Sequence, residues 1–281
     1  MIRVLGIDVG ATYTKALVMD EERTVLGQSI VKTGFNLSGA AKTAFEEVIG
    51  ASGLGPEKID YVASTGYGRY LVPMRDLQIT ELTCHAKGAA YLFPMTRTVL
   101  DAGGQTVKAI KVDDRGKVRS FRLNDKCAAG TGAFLDKTAR YMGFEADVAG
   151  ELALASTDPV TISSVCAVFA ESEVINHLTA GAAPEDIMYG AVLSLASRSV
   201  QLMKRVGMEP EVTFVGGMSR NTAFVRALTT QLGGAVNVPP GSQGQFNGSL
   251  GASLLALDRV HKLQAGGQWV KRSRMAEGAA R

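Results

Sequence analysis

The order of elements repeats itself within the first half of the chain, and that duplication restricts the fold more than any other feature. Apolar, β-branched stretches at Ile2 to Val9, Thr14 to Met19 and Val25 to Lys32 read as three strands, the last two joined by the polar turn Asp20-Glu21-Glu22. A helix is expected from about Ser38 to Ile49, a short strand over Tyr61 to Ser64, and a helix from about Thr80 to Leu92 that stops before Pro94. The series then restarts with strand Thr98 to Asp101, a glycine turn, strand Val107 to Val112, a polar turn Asp113 to Gly116 and strand Lys117 to Leu123. Two β-β-β-α units, each opened by an Asp and a glycine turn, predict a duplicated α/β fold with a cleft between its halves. The remainder reads as helices near Gly132 to Met142, Ala167 to Thr179 and Pro184 to Val206, then a strand Glu211 to Val215 and a last helix after Asn247.

A chain of 281 residues with 46% hydrophobic content can bury a substantial core. The formal charge is only +3, with Lys and Arg spread along the sequence, so the electrostatic stripe that nucleic acid requires is missing. No apolar run approaches the roughly 18 residues of a membrane helix, and Asp8 interrupts the first one. A soluble, cytoplasmic protein is expected. Three cysteines, Cys84, Cys127 and Cys166, are an odd number without a secretion signal, which favours metal or redox use over a disulfide framework.

Three glycine turns stand out. In Gly6-Ile7-Asp8-Val9-Gly10-Ala11-Thr12-Tyr13-Thr14-Lys15 a strand ends in Asp and Gly, so the turn can surround an anion with backbone N–H groups and hydroxyls, Lys15 adding charge. Leu100-Asp101-Ala102-Gly103-Gly104-Gln105-Thr106 repeats the device, and Phe214-Val215-Gly216-Gly217-Met218-Ser219 leads from a strand into a helix capped by Ser219 or Asn221. Each alone is also what a plain turn looks like. The fingerprints of the P-loop and dinucleotide folds are missing. In order, the trio resembles the phosphate 1, phosphate 2 and adenosine motifs of the superfamily containing acetate kinase, sugar kinases, heat-shock chaperone ATPases and actin. That resemblance implies a duplicated actin-like, ribonuclease H-like fold of two subdomains with a nucleotide cleft. It also implies ATP and Mg²⁺ as ligands, with Asp8 and Asp101 facing the magnesium and its waters. Gly10 through Lys15, Gly103, Gly104, Gly216 and Gly217 would contact the nucleotide. By analogy with glutamines in other NTPases, Gln105 is assigned to orient the attacking water.

Cys127, in Asn124-Asp125-Lys126-Cys127-Ala128-Ala129-Gly130-Thr131-Gly132, and Cys166, in Ser163-Ser164-Val165-Cys166-Ala167-Val168-Phe169-Ala170-Glu171, each precede a predicted helix. A helix N-terminus lowers thiolate pKa and favours an anionic cluster. The plain alternative is a pair of small buried residues, although glycine and alanine around Cys127 suggest a close backbone approach to something. Two thiolates cannot complete a four-cysteine site, whereas a twofold dimer can. These segments, with Asp101 to Gln105, Thr65-Gly66-Tyr67-Gly68-Arg69 and Glu81-Leu82-Thr83-Cys84-His85-Ala86, resemble the activator (component A) of 2-hydroxyacyl-CoA dehydratases and the ATPase subunits of benzoyl-CoA reductase. The resemblance reaches to about His261. It implies one 4Fe-4S cluster held by Cys127 and Cys166 between two copies or between homologous subunits. ATP hydrolysis would then drive low-potential electrons from a ferredoxin or flavodoxin to a dehydratase or reductase partner. Thr106 departs from the pattern, which often carries Asp there, and Leu263 to Arg281 has no counterpart.

The expected division is 1–95 and 96–281, with the last helix, about 247–262, packing back on the first part. Cys84 and His85 are adjacent on a helix, diverge by about 100° and are expected to pack rather than chelate. His177 and His261 read as ordinary helix residues, and the basic tail Lys271, Arg272 and Arg274 as a solvated end. Glu171 and Glu173 would either stabilise the helix after Cys166 or contact the nucleotide or a partner. The competing expectation from another class is a small-molecule kinase on the same fold, with Asp101 or a neighbour as base. It leaves both cysteines without a role.

Overall fold

Each repeat builds a five-stranded mixed sheet from its apolar runs. The computed structural model describes residues 1–124, 131–162 and 167–270, and the chain divides into two units, Met1–Tyr91 with Phe246 onward, and Leu92–Gln245. In the first unit β1 (Arg3–Val9), β2 (Tyr13–Asp20) and β3 (Val25–Lys32) form an antiparallel meander. Helix α1 (Leu37–Ser52) then leads to β4 (Tyr61–Thr65), β5 (Leu77–Gln78) and α2 (Glu81–Leu92). The sheet order is β3-β2-β1-β4-β5, β1 running parallel to β4. Because β1 is central and covered, every residue after Arg3 is buried, as a strand with both faces packed requires.

The second unit repeats this plan with β6 (Thr98–Ala102), β7 (Val107–Val112) and β8 (Val118–Asn124). Five helices follow, interrupted by two strands: α3 (Gly132–Tyr141), α4 (Ala149–Leu154), α5 (Ala167–Thr179), α6 (Pro184–Val206), β9 (Val212–Val215), α7 (Thr222–Leu232) and β10 (Val236–Asn237). Its order, β10-β9-β6-β7-β8, places β6 where the first sheet has β1, with a parallel neighbour on one side and an antiparallel one on the other. The second core gathers Leu100, Phe134, Ile187, Leu195, Phe214 and Phe224, the two phenylalanines Phe214 and Phe224 meeting edge to face at 5.2 Å. The first core centres on Leu5, Ile7, Val18, Val48 and Val62.

The last helix, α8, spans Gln243–Ala265 and so begins earlier than the sequence suggests. Glycine in this helix lets the backbone of a neighbour come close. A Cβ on Gly251 would overlap the Cys84 carbonyl of α2, and one on Gly6 of β1 would stand 2.7 Å from the Ser253 amide. Ser253 Oγ donates to the Leu17 carbonyl at 3.0 Å, so the helix is pinned to the sheet by small residues. Helix α4 and the two-residue strands β5 and β10 were not expected, because pieces so short carry no period to read.

Gly251→Ala is expected to destabilise the protein by about 2 kcal/mol or more, since the obstructing atoms are backbone and cannot swing aside. Denaturant unfolding checks this; an unchanged midpoint would show that α2 and α8 are not packed backbone to backbone.

Candidate functional site

The two opening aspartates are held in the same way. Asp8, at the end of β1, lies directly across the antiparallel ladder from Lys15, and Asp101 on β6 lies across from Lys108. Lys15 Nζ meets Asp8 Oδ2 at 3.2 Å, and Lys108 Nζ meets Asp101 Oδ2 at 2.9 Å. Asp8 and Asp101 are only 5% and 4% exposed, so each buried carboxylate needs the lysine placed against it. Lys108, itself buried, also bonds Thr106 Oγ1 at 2.9 Å. Lys15 was expected at the site and Lys108 was not. The signal was present: Asp and Lys are separated by six residues in both repeats.

A glycine completes each setting. Gly66 follows β4, the parallel neighbour of β1, with φ of +88°; Gly216 follows β9, the parallel neighbour of β6, with φ of +91°. A Cβ on Gly66 would stand 2.5 Å from both Asp8 Oδ1 and the Val9 carbonyl, and one on Gly216 would stand 2.5 Å from both Asp101 Oδ1 and the Ala102 carbonyl. Only glycine permits this backbone conformation and this approach together. In the first unit Gly248 of α8 adds a further wall, its Cβ position 2.8 Å from Asp8 Oδ2.

The turns around these carboxylates are built differently. Gly10 N–H donates to Tyr13 O, and Thr33, which sequence reading missed, donates its hydroxyl to Gly10 O at 2.8 Å and its N–H to Thr12 O. Thr14 is buried with its hydroxyl against that of Thr33 at 3.0 Å, so it braces the turn, while Ala11, Thr12 and Tyr13 face outward. In the second turn Gly103 N–H donates to Thr106 O, and Gln105 is exposed. The carbonyls of Gly103 and Gly104 accept the N–H groups of Gly132 and Ala133 at 3.1 and 2.8 Å. Thr131 gives no side-chain cap, so the phosphate-type turn itself satisfies two orphan amides of α3. In the third turn Gly216 N–H donates to Gly244 O, Ser219 Oγ donates to Gly216 O at 2.7 Å, and Asn221 caps α7 through Phe224 N–H. Gly217 is exposed.

Cys127 and Cys166 lie outside the described residues, as do Lys271, Arg272 and Arg274. Among the described residues no group of three or more His, Cys, Asp or Glu side chains is placed to hold a metal. Cys84 and His85 are buried; Asn247 Nδ2 donates to the His85 carbonyl at 3.0 Å, and burial pushes the Cys84 thiol up to about 12. Glu171 takes an ion pair with Lys137 of α3 at 3.3 Å, and Trp269 rests on the Tyr61 ring, centroids 6.1 Å apart. No helix among the described residues is long and apolar enough to cross a membrane.

Carboxylates paired with lysine beside glycine-lined space are suited to a hydrated cation. Relatives of this chain are known. It is 43% identical over 258 residues to the activator of lactoyl-CoA dehydratase from Anaerotignum propionicum, covering 92% of this chain and 98% of that one. It is 35% identical over 235 residues to one of the subunits of benzoyl-CoA reductase from Thauera aromatica, covering 81% and 82%. The structure of the activator of 2-hydroxyisocaproyl-CoA dehydratase from Clostridium difficile, solved with bound ADPNP, matches with a TM-score of 0.89 at 38% identity over 94% of this chain and 98% of that chain. The fold is thus the actin-like ATPase fold that the three turns led us to expect. With the model of the BadF/BadG/BcrA/BcrD ATPase family matching residues 5–256, this chain belongs to that ATPase family.

Proposed function

We propose that this chain is an ATP-driven electron donor. In this reading it hydrolyses ATP and passes a low-potential electron from a 4Fe-4S cluster to an acyl-CoA dehydratase or aromatic acyl-CoA reductase partner. The observation that carries the reading is the pair of hydrogen bonds from the first turn of α3 to Gly103 and Gly104. Helix α3 follows the Cys127 segment directly in sequence, so a displacement of the Asp101 turn would reach the element that begins where the cysteine segment ends. The names of the relatives, activators of dehydratases and a component of a reductase, support the same reading.

Mg²⁺, when bound, neutralises developing charge on the transferred phosphoryl group. Asp8 and Asp101 would hold its waters, each paired with a lysine across the ladder. The turns Gly10 to Lys15, Gly103-Gly104 and Gly216-Gly217 would contact the nucleotide and leave room for it. Gln105, exposed in the turn after β6, would orient the attacking water. Cys127 and Cys166 would hold one cluster jointly with a second copy or a homologous subunit. A ferredoxin or flavodoxin would reload it, and the acyl-CoA would bind on the partner. All of this chemistry belongs to the cytoplasm.

Asp8→Asn is expected to lower ATP turnover at least about 100-fold, through loss of the charge that faces the metal, while the iron content and visible spectrum stay as they are. Retained turnover would take Asp8 out of this role. Anaerobically purified protein is expected to carry about two irons per chain, one shared four-iron cluster per pair, and Cys127→Ser or Cys166→Ser to lose it. After chelation of the iron, thiol titration should find Cys127 and Cys166 reacting readily and Cys84 only on unfolding, given its burial and a pKa pushed up to about 12. A colourless zinc protein, or iron retained by both serine variants, would contradict the cluster assignment.

A further inference from the structure

Thr65 ends β4 directly opposite Asp8 in the parallel register. It is fully buried, and its Oγ1 has no hydrogen-bond partner among the described residues. The Cys84 thiol of α2 is within its reach but is a weak partner for a hydroxyl. Buried hydroxyls are nearly always satisfied, because leaving one unpaired in a folded interior costs stability. An unsatisfied one beside a carboxylate that faces a proposed ligand therefore calls for an explanation.

The duplication of the fold supplies a control within the same molecule. Opposite Asp101, at the matching end of β9, stands Val215, which is equally buried. The surroundings correspond closely: each residue is followed by a glycine with φ near +90°, and a Cβ on either glycine would stand 2.5 Å from the aspartate Oδ1. Valine and threonine have nearly the same shape. The backbone at this corner is thus built in one unit with a methyl group and in the other with a hydroxyl, and folding does not require the hydroxyl. Register-paired residues of neighbouring strands present their side chains on the same face of the sheet, so the Thr65 side chain lies on the face that carries the Asp8 side chain. What would satisfy it is an acceptor that arrives with the ligand of that carboxylate.

We propose that Thr65 is a binding residue of the Asp8 site, its hydroxyl donating to an oxygen of the magnesium-bound triphosphate held there. This inference rests on the nucleotide reading given above and adds to it an asymmetry: the first aspartate works with a hydroxyl donor and the second without one. It also gives the Thr65-Gly66 corner two functions, the glycine making room against Asp8 and the threonine contacting what fills the room.

The test compares Thr65→Val, which makes the first corner like the second, with Thr65→Ser, which keeps the hydroxyl. Three quantities are read: steady-state ATP hydrolysis, equilibrium binding of a non-hydrolysable Mg·ATP analogue, and the Tm of the nucleotide-free protein. Thr65→Val is expected to lower kcat/KM and analogue affinity by about ten-fold, the ratio for one lost hydrogen bond to a charged acceptor. Its nucleotide-free Tm should be unchanged or higher, because an unpaired buried hydroxyl has been removed. Thr65→Ser should stay within about two-fold of the unsubstituted chain. A Thr65→Val protein that binds and hydrolyses like the unsubstituted chain would overturn the inference. A lowered Tm with unchanged analogue affinity would overturn it too, assigning the hydroxyl to folding. An unsubstituted chain that fails to bind the analogue would overturn the nucleotide reading and this inference together, which separates the two failures.

Discussion

A carboxylate at the end of a central, fully covered strand is the constraint on which the rest of this structure depends. Burying the charge of a carboxylate costs stability unless a cation stands close. The antiparallel ladder provides one in each repeat, because the tight turn returns the chain so that the residue opposite the aspartate is a lysine. The length of that turn is therefore set by electrostatics as much as by backbone geometry. Once the carboxylate is stabilised, it can remain at the end of a central strand, where the proposed cation would meet it. The more deeply buried pair, Asp101 and Lys108, includes Thr106 as well.

Space around the carboxylates is made by leaving side chains out. Gly66 and Gly216 adopt left-handed conformations against the two aspartates, and Gly248 does the equivalent from α8 by lacking a Cβ. The same economy lets α8 lie on β1 and α2 through Gly6, Gly88 and Gly251, where any Cβ would meet backbone. Glycine at these positions marks close approach rather than chain reversal, and close approach is what both a nucleotide and a buried helix require.

That double use of glycine explains what could be read from the sequence and what could not. The strands that open each repeat and the long helix Pro184–Val206 were legible, since their periods are clear and their ends carry proline, glycine or a polar turn. The place of the aspartates and of the three glycine turns at strand ends was legible for the same reason. Lys108 was overlooked because one lysine in a strand looks like an exposed charge until the register puts it opposite Asp101. The role of Gly66 against Asp8 was overlooked because its partner is 58 residues away, across a parallel pairing that no local pattern announces. Thr33 and Thr65 act through position alone. The start of α8 was misplaced because its glycines look like the end of something.

Between the second aspartate and the redox chemistry proposed for this chain stands a short physical path, from the Asp101 turn through the Gly103 and Gly104 carbonyls to the first amides of α3. If that path couples nucleotide to cluster, the cluster must sense the nucleotide. The most direct measurement is the electron paramagnetic resonance spectrum of the anaerobically reduced protein, recorded with and without Mg·ATP. The account predicts the signal of a reduced 4Fe-4S cluster whose line shape changes when Mg·ATP is added; an iron–sulfur signal indifferent to nucleotide, or none at all, would contradict it.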